Sequence, residues 1–367
     1  MTDSIDSVID AALAGNRIVG CEVTVLKDGK TVYRRAAGHF DREAGTAMPN
    51  NAIYLLASVT KPIVAATALA LVDKGVIGLD DKVTEHLPWF EPEFGDAPAA
   101  ITIHHLLTHT AGLAYSYPQD PSISTGLGPS DLGFEENFSR VAQHPLLFAP
   151  GTGWNYSVAI DVLGALLSQV AGKSLQDVVA EHVTGPLGMR ETGFFVADEA
   201  RLARPYADAE PEPVVMRDPH EMLNDRNEIV RFSPSRIHSQ KAFQSGGAGM
   251  AGTPDDLIGF FEALRTDGGG VLSRETLDLG MTNRIGTVHR DDAGQRFGYF
   301  GAVVQDPQAA ATPAAPGTVN WGGVYGHSWL VDRANGITFL SMSNTALEGC
   351  TGTFPKAVRN AAYAEFA

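Results

Sequence analysis

The sequence predicts an α+β fold in which both ends of the chain build one antiparallel sheet around a mainly helical middle. Two hairpins predict the sheet. Near the N-terminus two alternating runs meet at Asp28-Gly29, and near the C-terminus two more meet at Asn335-Gly336. Such dipeptides suit the left-handed backbone of a tight β-turn. The helical periodicity of the runs between the hairpins predicts the helical middle.

The other elements follow from the spacing of apolar residues. Ile5, Val8, Ile9 and Leu13 predict an opening helix, and the apolar run 55–75 predicts a second one. The same spacing predicts three further helices, over 101–112, 157–173 and 354–366. The helices at the two ends of the chain would cover one face of the sheet.

We expect the chain to divide into two units. Residues 1–80 and 250–367 would form an α/β sandwich, and residues 81–249 a mainly helical unit. Residues 204–245 are rich in proline, charge and asparagine, which predicts an irregular excursion within the helical unit.

Composition and charge exclude some classes of function. The 367 residues are 44% hydrophobic and 19% charged, with a net charge of -16. Such a surface would repel a phosphate backbone, so we expect no nucleic-acid partner. No run approaches the ~18 apolar residues of a membrane helix, and the acidic N-terminus lacks a signal-peptide pattern, so we expect a cytoplasmic protein without a membrane partner. Two lone cysteines, Cys21 and Cys350, suit a reducing compartment.

The helix predicted over 55–75 begins with an unusual pair, Ser58 and Lys61. Residues three apart share one face of a helix, and Pro62 is tolerated in the first turn, which places Ser58 at the helix N-terminus. Free N–H groups there favour negative charge, and the nearby amine could serve serine acyl transfer. A capping serine followed by a lysine that reaches solvent is the alternative that this motif alone leaves open.

An ordered set of four segments resembles the penicillin-recognising serine hydrolases over residues 20–365: LLASVTKP, HHLLTHTAGL, PGTGWNYSVAIDVLG and TVNWGGVYGHSWLVD. This group contains class C β-lactamases, D-Ala-D-Ala peptidases and family VIII carboxylesterases. The resemblance implies a β-lactamase/transpeptidase-like fold with its site between the sheet and the helical unit. It also implies that Ser58 is acylated, that Lys61 is the motif lysine and that Tyr156 is the motif tyrosine.

Tyr156 would share the proton transfers of the serine. A phenol is a poor base at neutral pH, but a neighbouring ammonium favours its ionised form. Lys61 and Tyr156 would therefore titrate as one coupled pair, and we expect Tyr156 to relay the proton to the leaving alcohol. A core tyrosine at the start of a helix is the alternative.

Two departures from the family pattern bear on the substrate. The asparagine expected two positions after the tyrosine is Val158 here, which disfavours amide substrates. The family's Lys-Thr-Gly or His-Thr-Gly is Trp321, Gly322 and Gly323 here, and family VIII carboxylesterases carry the same Trp-Gly-Gly. An indole cannot pair with a substrate carboxylate as a cation does, so this departure favours neutral esters.

The same resemblance supplies the rest of the predicted site. It implies that the N–H groups of Ser58 and Val324 form an oxyanion hole. The glycines of the third motif would leave room for close backbone approach. For the flanking aromatic residues, a core or surface position is the alternative to substrate contact. The candidates for substrate binding are Trp321, Gly322, Gly323, Tyr115 and Trp154.

Other polar patterns are not expected to carry chemistry. His105 and His109 lie four apart in a predicted helix, but no third ligand lies near them in sequence, so we expect no metal. The run SGGAGMAGTPDDL lacks the spacing of a nucleotide-binding loop and predicts tight packing under the site. No G-x-S-x-G occurs, and His327, on a predicted strand, is expected to be a half-exposed polar residue.

The sequence therefore predicts a serine carboxylesterase that hydrolyses small neutral esters through an acyl-enzyme and needs no cofactor. An acyltransferase, a β-lactamase or a peptidase of the same architecture is the first alternative, and the missing export signal argues against the last two. A non-catalytic binding protein that retains the fold is the second, although all three reactive side chains are present. The expected partner is a small-molecule ester, and the oligomeric state stays open.

Overall fold

A computed structural model of the chain describes residues 4–224, 228–288, 290 and 293–367. The first part of the chain holds the N-terminal hairpin and the helix that begins beside Ser58. Its elements are α1 (Ile5–Ala14), β1 (Gly20–Lys27), β2 (Lys30–Asp41), β3 (Thr46–Ala47), β4 (Tyr54–Leu55) and α2 (Thr60–Asp73), with a 3-10 turn at Ala57–Val59 before α2.

The middle of the chain consists of helices joined by short strands. The helices are α3 (Val83–His86), α4 (Ile103–Thr108), α5 (Phe134–Ala142), α6 (Ala159–Ala171) and α7 (Leu175–Val179), with a π-helical turn at Ala180–Thr184 and 3-10 turns at Glu199–Arg201 and Pro234–His238. The strands are β5 (Glu93–Phe94), β6 (Ala97–Pro98), β7 (Tyr206–Ala207), β8 (Val214–Val215), β9 (His220–Leu223), β10 (Ile229–Phe232) and β11 (Ala251–Gly252). Within 204–245, β7 pairs with β8 and β9 pairs with β10. The division of the chain into units at residues 80 and 250 stays a prediction.

The last part of the chain completes the sheet and ends in a helix. Its elements are α8 (Pro254–Arg265), α9 (Arg274–Gly280), β12 (Gln295–Phe297), β13 (Ala302–Val304), β14 (Val319–Gly323), β15 (His327–Asp332), β16 (Ile337–Ser343), α10 (Ala346–Cys350) and α11 (Thr353–Phe366).

One eight-stranded antiparallel sheet joins the two ends of the chain. Its order is β12-β13-β14-β15-β16-β1-β2-β3, so the two predicted hairpins pair through β16 and β1. Asp28 and Gly29 have positive φ angles of 52° and 78°, and Asp28 N donates to Gly336 O at 2.8 Å, which places the two hairpin turns side by side. The predicted α+β class and its antiparallel sheet are confirmed.

Alternating side chains along β16 face two different layers. Ile337 and Phe339 pack with the terminal helices α1 and α11, whereas Leu340 packs in the larger core that includes α2 and α8. On that second face, Phe261 of α8 stacks on Trp329 of β15 with ring centroids 4.4 Å apart. The terminal helices therefore cover one face of the sheet, as predicted.

Helix α2 lies in the interior of the protein. Every residue from Thr60 to Leu71 is buried, so its apolar residues follow no single stripe. The start of the helix, which includes Lys61, is therefore shielded from solvent. Among the helices that the structure describes, none is long and apolar enough to cross a membrane.

Close packing holds the turn before α2 against the sheet. β4 pairs with β11, with Leu55 opposite Ala251. On the other side the end of β14 touches the turn: a Cβ added to Gly323 would lie 2.3 Å from Leu56 O and 3.1 Å from Val59 Cγ2. Only glycine avoids this clash, so Gly323 lets β14 reach the turn that carries Ser58.

We expect Gly323→Ala to lower the free energy of unfolding by about 1–3 kcal/mol, because the new methyl group must push β14 or the turn aside. Denaturant unfolding measures the change. Gly259→Ala is the control: Gly259 lies exposed on α8 with open space around its Cα, and alanine there should stabilise the helix by about 0.5–1 kcal/mol. Unchanged stability in Gly323→Ala would contradict the packing argument.

Candidate active site

Ser58 lies in the 3-10 turn immediately before α2 and is buried. The residue before it, Ala57, has a φ of 44°, a left-handed conformation that costs energy for a residue other than glycine. Leu56 N donates to Met250 O at 2.9 Å and helps to hold the turn. Ser58 is therefore presented by a strained but anchored turn at the N-terminus of the helix.

Lys61 is a buried cation next to Ser58. Its Nζ donates to Ser58 Oγ at 3.2 Å and to Gly247 O at 2.7 Å, and the residue is 5% exposed. A lysine that reaches solvent, the alternative open at the level of sequence, does not describe this side chain. The amine lies within hydrogen-bond reach of the hydroxyl proton that a nucleophilic serine must lose.

The charge of Lys61 is stabilised by its neighbours. Burial alone would lower the pKa of its ammonium group. The phenol oxygens of Tyr115 and Tyr156 and the carboxylate of Asp161 outweigh burial and raise the pKa of Lys61 above its usual value. The site therefore contains an ammonium group paired with nearby acceptors at neutral pH.

Tyr156 lies beside the ammonium group of Lys61. The Lys61 Nζ is 4.6 Å from the centroid of the Tyr156 ring, and the Tyr156 hydroxyl accepts a hydrogen bond from Trp321 Nε1 at 3.1 Å. The ring stacks on Tyr115, with centroids 5.5 Å apart. A donor and a cation directed at one phenol stabilise negative charge on its oxygen. This surrounding suits a tyrosine that accepts and returns a proton.

The loop before α6 carries Tyr156, and His109 holds that loop. Helix α6 begins at Ala159, so Tyr156 precedes the helix instead of starting it. Asn155 N donates to His109 O at 3.1 Å, and Ser157 N donates to His109 Nδ1 at 3.2 Å. Burial lowers the pKa of His109 well below its usual value, so the imidazole is neutral and can accept. Sequence reasoning considered this histidine only as a metal ligand and missed its positioning role.

Strand β14 places the predicted third motif beside Tyr156. Trp321 directs its indole N–H at the phenol. The next two residues pack against protein: a Cβ on Gly322 would lie 2.6 Å from His327 O, and one on Gly323 would meet the turn before α2. The glycines thus allow close approach of backbone to backbone, and Trp321 supplies the side chain that faces the site.

Two backbone N–H groups are available for an oxyanion hole. In the part of the chain that the structure describes, neither Ser58 N nor Val324 N has a backbone acceptor. The carbonyl of Leu55, three residues before Ser58, accepts instead from His327 Nε2 at 2.8 Å. Gly323 brings the adjacent Val324 up to the turn that carries Ser58. Backbone N–H groups without a backbone acceptor can donate to the negative oxygen of a tetrahedral intermediate.

An aromatic cluster with one buried arginine packs around Trp321. The guanidinium of Arg290 lies 4.8 Å from the ring centroid of Trp154 and 5.3 Å from that of Trp321. Phe297 packs edge-on against Trp321 with centroids 5.3 Å apart. Such cation–π and edge contacts fix the orientation of an indole. Sequence reasoning named Trp154 but missed Arg290 and Phe297.

Two further histidines, His327 and His105, contact backbone groups. His327 is fully buried, so the prediction that it is half-exposed was wrong: the turn before α2 covers it, and burial lowers its pKa to about 4. His105 Nδ1 accepts from Thr102 N in a helix cap, and α4 ends at Thr108, which separates His105 from His109. Among the described residues, no group of three or more His, Cys, Asp or Glu could hold a metal ion.

Comparison with known proteins gives consistent matches over nearly the whole chain. The model of the family described as Beta-lactamase matches residues 5–357. Esterase EstB of Burkholderia gladioli is 46% identical, with 98% of this chain and 94% of EstB covered. Lovastatin esterase of Penicillium rubens is 26% identical, with 91% of this chain and 90% of that protein covered.

Solved structures agree with the sequence matches. EstCE1, described as a hydrolase with promiscuous acyltransferase activity, superimposes with a TM-score of 0.94 at 40% identity and covers 98% of this chain and 97% of its own. Unliganded simvastatin synthase LovD of Aspergillus terreus has a TM-score of 0.73 at 20% identity, with 99% and 98% covered. The second likeness shows the fold alone.

Proposed function

Because this chain belongs to the beta-lactamase family, we propose that it is a serine carboxylesterase that hydrolyses small neutral carboxylic esters through an acyl-enzyme. The observation that carries the proposal is the hydrogen bond from Trp321 Nε1 to the Tyr156 hydroxyl. An uncharged indole occupies the strand position that would otherwise offer a cation to a substrate carboxylate. The similarity to EstB and EstCE1 supports the same assignment, and the Trp-Gly-Gly motif supports placement near family VIII carboxylesterases.

In the proposed reaction the Ser58 hydroxyl attacks the ester carbonyl and passes its proton to the Lys61–Tyr156 pair. The N–H groups of Ser58 and Val324 bind the oxyanion. The tetrahedral intermediate then collapses, the bond to the alcohol oxygen breaks, and Tyr156 returns the proton to that oxygen. Water then attacks the acyl carbon and passes a proton to the same pair; the bond to Ser58 Oγ breaks, the pair returns the proton to that oxygen, and the acid is released.

The walls of the site suit a substrate without charge. Tyr115, Trp154 and Trp321 offer apolar faces, as expected for contact with an acyl or alkoxy group. The nearby cation, Arg290, is 3% exposed, and its guanidinium packs against the rings of Trp154 and Trp321. A small-molecule ester as the partner and a cytoplasmic location stay predictions.

The test measures the hydrolysis of p-nitrophenyl acetate and butyrate beside that of a chromogenic cephalosporin. We expect kcat/KM for the butyrate ester to exceed that for the cephalosporin by at least ~100-fold, because the uncharged Trp321 stands where the resemblance places a carboxylate-binding cation. A fluorophosphonate should add one phosphonyl group to the peptide that contains Ser58, seen by mass spectrometry. Faster opening of the cephalosporin would make the protein a β-lactamase, and neither hydrolysis nor labelling would make it a non-catalytic protein.

Acyl transfer to an alcohol is the second candidate, and the similarity to EstCE1 favours it. Transfer differs from hydrolysis only in the nucleophile that reaches the acyl-enzyme. Adding methanol to the butyrate assay separates the two. A transferase forms methyl butyrate, detected by gas chromatography, at the expense of free butyric acid.

A further inference from the structure

One buried charge beside the site takes no part in the reaction described above. Asp161 lies in the first turn of α6, is the only charged residue between Ala159 and Ala171, and is fully buried. An ionised group buried in this way costs free energy unless partners hold it. The hydrogen-bond partners of this carboxylate connect it to Ser58 through Gly247 and Lys61.

Asp161 holds the backbone of Gly247. Its Oδ1 accepts hydrogen bonds from Ser245 Oγ and from Gly247 N, the latter at 3.1 Å. Its Oδ2 lies against the same glycine, since a Cβ added to Gly247 would be 2.3 Å from that oxygen. Residue 247 must therefore be glycine for the carboxylate to lie so close.

Gly247 in turn holds Lys61. Its carbonyl accepts from Lys61 Nζ at 2.7 Å, whereas Nζ lies 3.2 Å from Ser58 Oγ. The carbonyl thus makes the shorter of these two hydrogen bonds of the ammonium group. A displacement of this carbonyl would carry the ammonium away from the nucleophile.

We propose that Asp161 is a positioning residue for Lys61. Its carboxylate fixes Gly247 so that the carbonyl of that residue holds the ammonium group of Lys61 beside Ser58 and Tyr156. The inference rests on the proposed serine hydrolase function. Asp161 itself touches no reacting atom.

The charges around Lys61 agree with this role. The centroids of the Tyr115 and Tyr156 rings lie 5.5 and 4.6 Å from its Nζ. His109 packs on Tyr156 and is neutral, because burial lowers its pKa. Burial alone would lower the pKa of Lys61, and the two phenols together with Asp161 raise it. Among these groups Asp161 is the carboxylate, so it can carry a negative charge without the loss of a phenol proton.

Burial and the neighbouring groups act in opposite directions on the ionisation of Asp161. Burial raises the pKa of its carboxyl group. Lys61, the donors from Ser245 and Gly247, and more distantly Arg236 all favour the ionised form. The carboxylate and the Lys61 ammonium therefore stabilise each other across one glycine residue.

A purely structural role for Asp161 is the alternative. A carboxylate in the first turn of a helix interacts favourably with the free N–H groups and the helix dipole. That role would affect the stability of α6 but would leave the protonation of Lys61 unchanged. The pH dependence of catalysis distinguishes the two.

The test compares wild type with Asp161→Asn, which keeps the shape and the Oδ1 acceptor but removes the charge. We expect kcat for p-nitrophenyl butyrate to fall roughly 10- to 100-fold with KM changed less than about threefold, because a neutral amide oxygen holds Gly247 N more weakly than a carboxylate does and the carbonyl of Gly247 then fixes the ammonium group less firmly. Loss of a negative charge near Lys61 also makes its ammonium group release its proton more readily. The acid limb of kcat/KM should therefore move to lower pH by about one unit.

Ser245→Ala is the matched control. It removes one hydrogen bond to the same oxygen of Asp161 but leaves the charge in place, so the acid limb should stay within about 0.3 units of wild type. The pH dependence of phosphonylation at Ser58 provides a second reading that does not involve deacylation. Should Asp161→Asn fail to fold, Asp161→Glu and Asp161→Gln form a pair of equal size that differs in charge.

The outcomes separate this inference from the proposed function. If wild type is active and the acid limb of Asp161→Asn is shifted to lower pH, the inference is supported. If wild type is active and Asp161→Asn lowers only the melting temperature, with kcat and the acid limb unchanged, the inference is wrong and the structural role is correct. A wild type that neither hydrolyses esters nor reacts with the phosphonate overturns the proposed function, and this inference with it.

Discussion

Replacing Ser58 by alanine is expected to lower kcat/KM for p-nitrophenyl butyrate by at least ~10⁴-fold, because the nucleophile and the acyl-enzyme are lost together. The Ser58 hydroxyl accepts one hydrogen bond, from Lys61. Its removal should change the free energy of unfolding by only about 1 kcal/mol. Steady-state kinetics and thermal unfolding of the same preparation measure both effects.

Ser273→Ala is the control for this substitution. Ser273 also stands at a helix N-terminus, where its hydroxyl caps α9 and contacts Asp73 at the opposite end of α2 from Ser58. Along a helix of this length the separation is roughly 20 Å. Its loss should cost about 1 kcal/mol of stability and leave kcat unchanged. Substantial ester hydrolysis by Ser58→Ala would require a different nucleophile and would refute the proposed reaction.

Replacing Lys61 by methionine is expected to lower kcat/KM by at least ~10³-fold. The ammonium group lies between Ser58 Oγ and the ring of Tyr156. Without it, the serine proton has no nearby amine, and negative charge on the phenol loses its cation. Phosphonylation of Ser58 should slow in parallel, because it needs the same activated hydroxyl. Rates of both reactions, measured at equal fractions of folded protein, test the prediction.

Lys74→Met is the control for this substitution, because Lys74 lies at the opposite end of the same helix from Lys61. Lys74 is the exposed residue directly after α2, in contact with His182. Its replacement should leave both rates within about twofold of wild type, since an exposed charge far from the site is screened by solvent. If Lys61→Met and Lys74→Met behaved alike, Lys61 would be a structural cation and not part of the proton transfer.

Much of the fold could be predicted because it depends on short stretches of chain. Each hairpin needs a dipeptide that tolerates left-handed backbone and two alternating runs, and the turn at Asp28 and Gly29 has the expected geometry. The interior position of α2 was less accessible. A helix that is apolar on all sides shows no stripe, so its sequence does not say which neighbours cover it.

Most of the predicted site residues lie in the four family-like segments, whereas the missed groups lie both inside and outside them. Ser58, Lys61, Tyr156 and Trp321 lie in segments that resemble a known family, whereas Arg290 lies outside all of them. Other missed groups had a signal that could have been used. Asp161 is the only charged residue in an otherwise uncharged helix, and a lone charge in such a helix calls for a buried partner.

The sequence by itself determined the two hairpins, the periodic helices and the placement of Ser58 one turn before Lys61, because backbone preferences and helix spacing act over a few residues. Only the tertiary structure decided which groups meet at the site. Trp321 and Tyr156 are 165 residues apart in the chain, and Lys61 and Gly247 are 186 apart. Contacts at such separations depend on the closure of the sheet by both chain ends and on the packing of β14 against the turn before α2. No local preference of the chain encodes them.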